Sequence, residues 1–158
     1  MKRLVSVALC AVLLITLLTG CMPSKAYSYD NLTMDIPINM QDYSGQAEFK
    51  DYDFVLANLT LTIIGQQDRV SGYDNETDYA HALINANDLF AYPQVRIADN
   101  GSSYAYYFYE STAHGVSDTI LVGCFRGTDH FWIVQLCTNT DRFNPDTLLG
   151  YLDTVVVR

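Results

Sequence analysis

The chain has 158 residues, with eighteen acidic and nine basic side chains, a formal net charge of −9 and an apolar fraction of 49%. That length admits a single domain around a single core. The acid excess excludes a nucleic-acid binder, which needs Lys and Arg to neutralise phosphates.

Met1-Lys2-Arg3 is a short positive region, and Leu4 to Leu18 carries no charge. This is the charged and apolar pattern of a secretory signal, and the run falls short of the roughly 20 residues a membrane-spanning helix needs. Leu18-Thr19-Gly20-Cys21 follows. It resembles the bacterial lipobox, where cleavage after a small residue leaves Cys as the new N-terminus and its sulfur takes a diacylglyceryl group. Residues 1–20 are therefore expected to be removed, with Cys21 as the lipidation site. Two palmitate-type chains bury enough CH₂ groups, at about 0.8 kcal/mol each, for stable attachment to the bilayer. Loss of Lys2 and Arg3 leaves seven basic against eighteen acidic residues, a net charge of −11. That argues against a second, electrostatic attachment to anionic lipid. The expected location is the extracytoplasmic face of the cell membrane.

Residues 21–31 carry Pro, Ser and Asn without apolar periodicity and read as a tether; residues 32–158 read as the domain. Leu32–Ile38 alternates and meets Pro37, which predicts an edge strand. A polar stretch, Gln41–Lys50, precedes two β-rich runs, Tyr52–Asn58 and Leu61–Gln67, expected to pair as a hairpin. From Thr77 to Phe90 the apolar positions Tyr79, Leu83, Ala86 and Phe90 fall on one helical face, with Asp74, Asn75 and Asp78 suited to its start. Gln94–Ala98 and Ser103–Glu110 flank Asp99-Asn100-Gly101, a type I′ turn signal. A loop at Ser111–Asp118 leads to a hairpin, Thr119–Arg126 and His130–Thr138, turning at Gly127-Thr128. Asn144-Pro145 opens a second helix with Leu148, Leu149 and Leu152 inward, and Thr154–Val157 closes the chain as a strand. Ile120-Leu121-Val122 and Phe131–Val134 are apolar at every position, as strands are when both faces of their sheet are covered. The fold class is thus α+β: a largely antiparallel sheet flanked by helices on both faces.

The segments Ile36-Pro37, Thr77–Ala80 and Phe131–Gln135 followed by Leu148–Val157 occur in an order that resembles the PsbP-like superfamily. The resemblance spans residues 32–158. It implies an α/β/α sandwich with a binding or assembly role and no shared active site. It carries over no functional residue.

Cys124 and Cys137 remain once Cys10 leaves with the signal and Cys21 is lipidated. In the predicted hairpin Cys124 faces Phe131 or Trp132, and Cys137 lies five or six residues further along. At about 3.3 Å per residue that is beyond disulfide reach, so both are expected as buried free thiols. His81, His114 and His130 show no metal-ligand spacing. Ser111, His114 and Asp118 share one loop without a nucleophile elbow. Asp74–Asp78 resembles half a calcium loop but lacks its Gly and terminal Glu. No cofactor is implied. The most unusual run is Tyr104–Tyr109, which on a strand places Tyr104, Tyr106 and Phe108 on one face and Ala105, Tyr107 and Tyr109 on the other. These are core aromatics or a surface, with Tyr104, Tyr106, Tyr107 and Tyr109 as candidates, for an envelope protein, peptide or glycan. The expected function is a non-enzymatic, membrane-anchored binding or assembly module. The competing class is a small envelope enzyme built around residues 111–118, or a ligand-carrying domain with an aromatic pocket.

Overall fold

The computed structural model describes residues 23–42, 52–56, 59–64, 69–113, 116–139 and 144–158. Its strands are β1 (Ser24–Tyr29), β2 (Leu32–Pro37), β3 (Gln41–Asp42), β4 (Tyr52–Leu56), β5 (Leu59–Ile64), β6 (Gln94–Ile97), β7 (Ser103–Ala113), β8 (Val116–Arg126), β9 (Phe131–Thr138) and β10 (Val156–Val157). Its helices are α1 (Glu76–Ala86) and α2 (Pro145–Leu152). The class is α+β, with two antiparallel sheets: a small one ordered β1-β2-β10 and a seven-stranded one ordered β3-β4-β5-β9-β8-β7-β6. Among the described residues no helix is long and apolar enough to cross a membrane.

Period-two alternation sorts the large sheet's side chains into two cores. Leu61, Tyr104, Leu121, Phe125, Trp132, Val134 and Leu136 bury with Leu32, Met34 and Ile36 of β2 and with Leu148, Leu149 and Leu152 of α2. The intervening positions Ala105, Tyr107, Ile120, Val122, Cys124, Phe131 and Ile133 bury with Tyr79, Ala80 and Ile84 of α1. Each fully buried Leu, Ile or Phe contributes about 1.5–3 kcal/mol of transfer free energy. Both helix starts are capped as expected: Asn75 Oδ1 accepts from Thr77 N and Asp78 N at 2.9 Å each, and Asn144 Oδ1 accepts from Thr147 N at 2.8 Å.

Several boundaries differ from the sequence reading. Ser24–Tyr29 is no tether: it pairs with β2 from Ser24↔Pro37 to Tyr29↔Leu32. Tyr27 and Tyr29 pack on the first core and stack on each other at 6.0 Å, so the Ser- and Asn-bearing stretch is half of a hairpin turning at Asp30-Asn31. Consequently β2 is the central strand of the small sheet rather than an edge. The β1–β2 turn is locked to Arg158 and to β9 here. Arg158 N donates to Asn31 O at 2.9 Å, Asn31 Nδ2 donates to Arg158 O at 2.8 Å, and Trp132 Nε1 donates to Asn31 Oδ1 at 3.0 Å.

Helix α1 stops at Ala86, four residues short of Phe90, which is 95% exposed. The Asp99–Gly101 turn is not type I′: Gly101 alone has positive φ, +84°, while Gly101 N donates to Ala98 O and Ala98 N to Ser102 O. That is the three-residue loop whose Gly sits in the left-handed region. Residues 111–113 and 116–118 are strand rather than loop, because β7 and β8 stay paired from Tyr104↔Phe125 to Ala113↔Val116. Cys124 pairs with Ile133, not Phe131 or Trp132, and Cys137 pairs with Ile120. The thiols thus lie four positions apart along the ladder, about 13 Å at strand rise, and both are free, Cys124 buried and Cys137 half-buried.

Candidate binding site along β7

The four tyrosines of β7 have four different surroundings. Tyr104 is fully buried, stacks on Phe125 at 4.8 Å and donates its hydroxyl to Asp153 Oδ1 at 2.8 Å. Tyr107 is 4% exposed within the α1 core. Tyr106 is half-buried and donates to Gln94 Oε1 on β6 at 2.7 Å. Only Tyr109 combines partial exposure with an open surround. The expected Tyr surface is therefore reduced: Tyr104 and Tyr107 are core, and burial raises the phenol pKa of both.

The surround of Tyr109 follows from unequal strand lengths. β6 pairs only with Ser103–Tyr106, whereas β7 runs on to Ala113. From Tyr107 onward β7 is itself the outer strand, so the sheet edge has a step. The connection leaving α1 fills part of it and leaves two neighbouring clefts. The outer cleft, about 670 Å³, is lined by Asp88, Leu89, Phe90, Phe108, Tyr109, Glu110, Thr119 and Pro145. The inner recess, about 340 Å³, lies under the end of α1 and includes Asn87, Tyr107, Tyr109 and Gln135. Leu89 and Tyr109 belong to both.

The end of α1 at this step is well formed. Leu89 N donates to Ile84 O at 3.0 Å and Asp88 N to Asn85 O at 3.3 Å, the paired bonds of a Schellman motif. Its left-handed position, where Gly or Asn is usual, is Asp88, with φ +51°. The last turn of α1 carries no basic residue. The sequence reading missed Asp88, Phe90 and Glu110. The available signal was Asn87-Asp88, two residue types that tolerate the left-handed region. It was obscured because Phe90 continued the helical apolar spacing.

Further along the same sheet edge, where β6 covers β7, the charges are paired. Arg96 Nε and Nη2 donate to Asp153 Oδ1 and Oδ2 at 2.8 and 2.6 Å, a bidentate pair. The Arg96 hydrogen bond, with Tyr104's added, holds the Asp153 carboxyl below the usual carboxylate range despite partial burial. Asn100 Nδ2 donates to Asp153 O at 2.9 Å, tying the β6–β7 turn to the end of α2.

The remaining candidates are dispersed. His81 is exposed on α1, and His130 sits half-buried at the bridge Arg69↔His130. His114 and Cys21 lie outside the described residues. Ser111 and Asp118 are cross-strand neighbours in the β7–β8 ladder, and Asp74–Asp78 surrounds the Asn75 cap. Among the described residues no three His, Cys, Asp or Glu side chains converge as a metal site. Burial pushes the Cys124 thiol up to about 12, with the Glu76 charge adding to it, and burial with nearby Asp118 also raises Cys137.

No protein-family model and no curated protein matches this chain. A crystal structure from Bacteroides thetaiotaomicron VPI-5482 at 1.50 Å resolution is similar in fold, with a TM-score of 0.62 at 14% identity. The match covers 87% of this chain and 49% of the other, so this chain spans about half the length of that neighbour.

Proposed function

We propose that this chain is an exported lipoprotein with a PsbP-like α/β/α domain, held on the extracytoplasmic face of the membrane through diacylglyceryl-Cys21. It acts there as a non-enzymatic binding or assembly module for an envelope protein, peptide or glycan. The anchor reading rests on Met1–Arg3, the uncharged Leu4–Leu18 run and the Leu18–Cys21 junction. The observation that carries the binding reading is the open cleft at the sheet step, where Phe90, Phe108 and Tyr109 line one space. Aromatic side chains at an accessible concavity are the usual anchors of recognition.

The anchor and the fold have a joint consequence. Strand β1 begins at Ser24, so only Met22 and Pro23 separate it from Cys21, a span of at most about 10 Å. The domain then rests close to the headgroups, with exposed Ile38, whose N donates to Pro23 O at 2.9 Å, at its membrane-proximal end. The inner recess, bordered by Tyr107, Tyr109, Asn87 and Gln135, favours a second reading, carriage of a small ligand.

Two measurements test this. In cells fed radiolabelled palmitate, the native chain takes label and fractionates with membrane, while Cys21→Ala stays an unlabelled precursor. A Cys21→Ala chain that is still processed and labelled refutes the anchor. A photo-crosslinker at position 90 is expected to give a discrete adduct that disappears in Tyr109→Ala. An adduct indifferent to Tyr109, or none, refutes binding at this cleft.

A further inference from the structure

The cleft at the sheet step concentrates negative potential from three sources. Asp88 and Glu110 line it, and neither has an ion-pair or side-chain hydrogen-bond partner among the described residues. The third source is the carboxyl end of α1, whose aligned peptide dipoles place partial negative charge there. Proteins ordinarily offset a helix C-terminus with Lys, Arg or His; α1 has none in its last turn, and among the described residues no basic side chain lines the cleft.

The placement of Asp88 is locally unfavourable. Asp adopts the left-handed region less readily than Gly, and a carboxylate beside a helix C-terminus is repelled where a cation would be stabilised. Gly at this position would relieve both. A locally disfavoured residue at a cleft points to a constraint other than folding. The same cleft presents Phe90, Phe108 and Tyr109, whose ring faces attract cations.

Resting on the binding reading above, we infer that this cleft recognises an organic cation bearing N–H donors on an apolar stem, an amine or guanidinium. The stem packs on the rings and the N–H groups donate to the Asp88 and Glu110 carboxylates. Carboxylates reward donors, so a primary ammonium or guanidinium fits better than a quaternary ammonium of equal charge. A free amine and a basic side chain of a peptide share this chemistry.

The test is calorimetric titration of the mature lipidated chain in detergent micelles with agmatine, with acetyl-Gly-Arg-Gly-amide, and with the neutral analogue acetyl-Gly-citrulline-Gly-amide. At least one cation is expected to bind, more weakly as salt rises, and the neutral analogue to bind on the order of tenfold more weakly or not at all. Preference for agmatine identifies a free amine; preference for the peptide identifies a basic segment. The Asp88→Asn/Glu110→Gln chain should lose about tenfold or more, whereas Asp99→Asn, an exposed acid elsewhere, should lose nothing. Equal binding of the neutral analogue, binding unaffected by the double substitution, or no binding of either cation overturns the inference. If the cations fail while the Tyr109-dependent adduct at position 90 persists, the cation class is wrong and the binding reading stands.

Discussion

Two stretches of the same edge of the large sheet treat charge in opposite ways. At the β6–α2 corner, Asp153 receives two bonds from Arg96 and one from Tyr104, while Asn100 bonds the backbone beside it. At the step beside α1, Asp88 and Glu110 face a cleft with aromatic neighbours and, among the described residues, no basic side chain. A charge satisfied within the fold contributes to holding elements in place. A charge left facing a cleft beside a helix C-terminus costs stability and remains available to a ligand. The corner is structure; the step is where recognition is to be sought.

The largest expected effect belongs to the closed side. Trp132 fills the first core and bonds Asn31 at the β1–β2 turn, so Trp132→Ala should cost about 3–5 kcal/mol in urea unfolding. Asp153→Ala should cost about 2 kcal/mol, because it strips charge-assisted bonds from Arg96 and leaves the Tyr104 hydroxyl buried. Arg96, being 41% exposed, matters less. Arg96→Ala should cost about 1 kcal/mol or less. A loss from Arg96→Ala matching that from Asp153→Ala would mean the corner works as an ion pair rather than as a seat for Tyr104.

The corner also has a pH signature. Because the Asp153 carboxyl is lower in the folded chain than in the unfolded one, its contribution is fully present above about pH 4, the unfolded value. It is lost as pH falls through the lowered folded value. The gap in urea midpoint between the native chain and Asp153→Asn should therefore be wide at neutral pH and narrow progressively below that point. A gap that stays constant into strong acid would sink the assignment. The smallest effect is chemical. Cys124, at about 12 and buried, should resist iodoacetamide in the folded protein at pH 8, with half-buried Cys137 reacting first. Both thiols should titrate after unfolding without reductant.

Much of the fold was legible because it rests on local signals. The Asn75 and Asn144 caps, Pro145 at a helix start, and the doubly apolar runs of β8 and β9 follow from side-chain chemistry at fixed spacing. The errors share a cause. Tyr27 and Tyr29 were hidden in a polar composition, yet their alternation and the Asp30-Asn31 turn make a strand once β2 is present as a partner. Ser111–Asp118 reads as loop until the β7–β8 register continues through it. Phe90 fitted a helical stripe that the left-handed Asp88 had already ended. In each case pairing or backbone geometry beyond the local window decided the outcome. The cleft was illegible for the same reason: it is made by a difference in length between β6 and β7, not by a motif. Which face each Tyr of β7 takes was readable from period two. Which of those faces is covered was not.

The contrast between corner and step turns on Asp88, and Asp88→Gly tests it most directly. Thermal unfolding and agmatine titration of that variant should move in opposite directions. Relief of the left-handed strain and of the charge at the end of α1 should stabilise the chain by about 1 kcal/mol, while affinity falls about tenfold. A variant that is destabilised, or one that is stabilised yet binds agmatine as tightly as the native chain, would contradict the assignment of this residue to recognition.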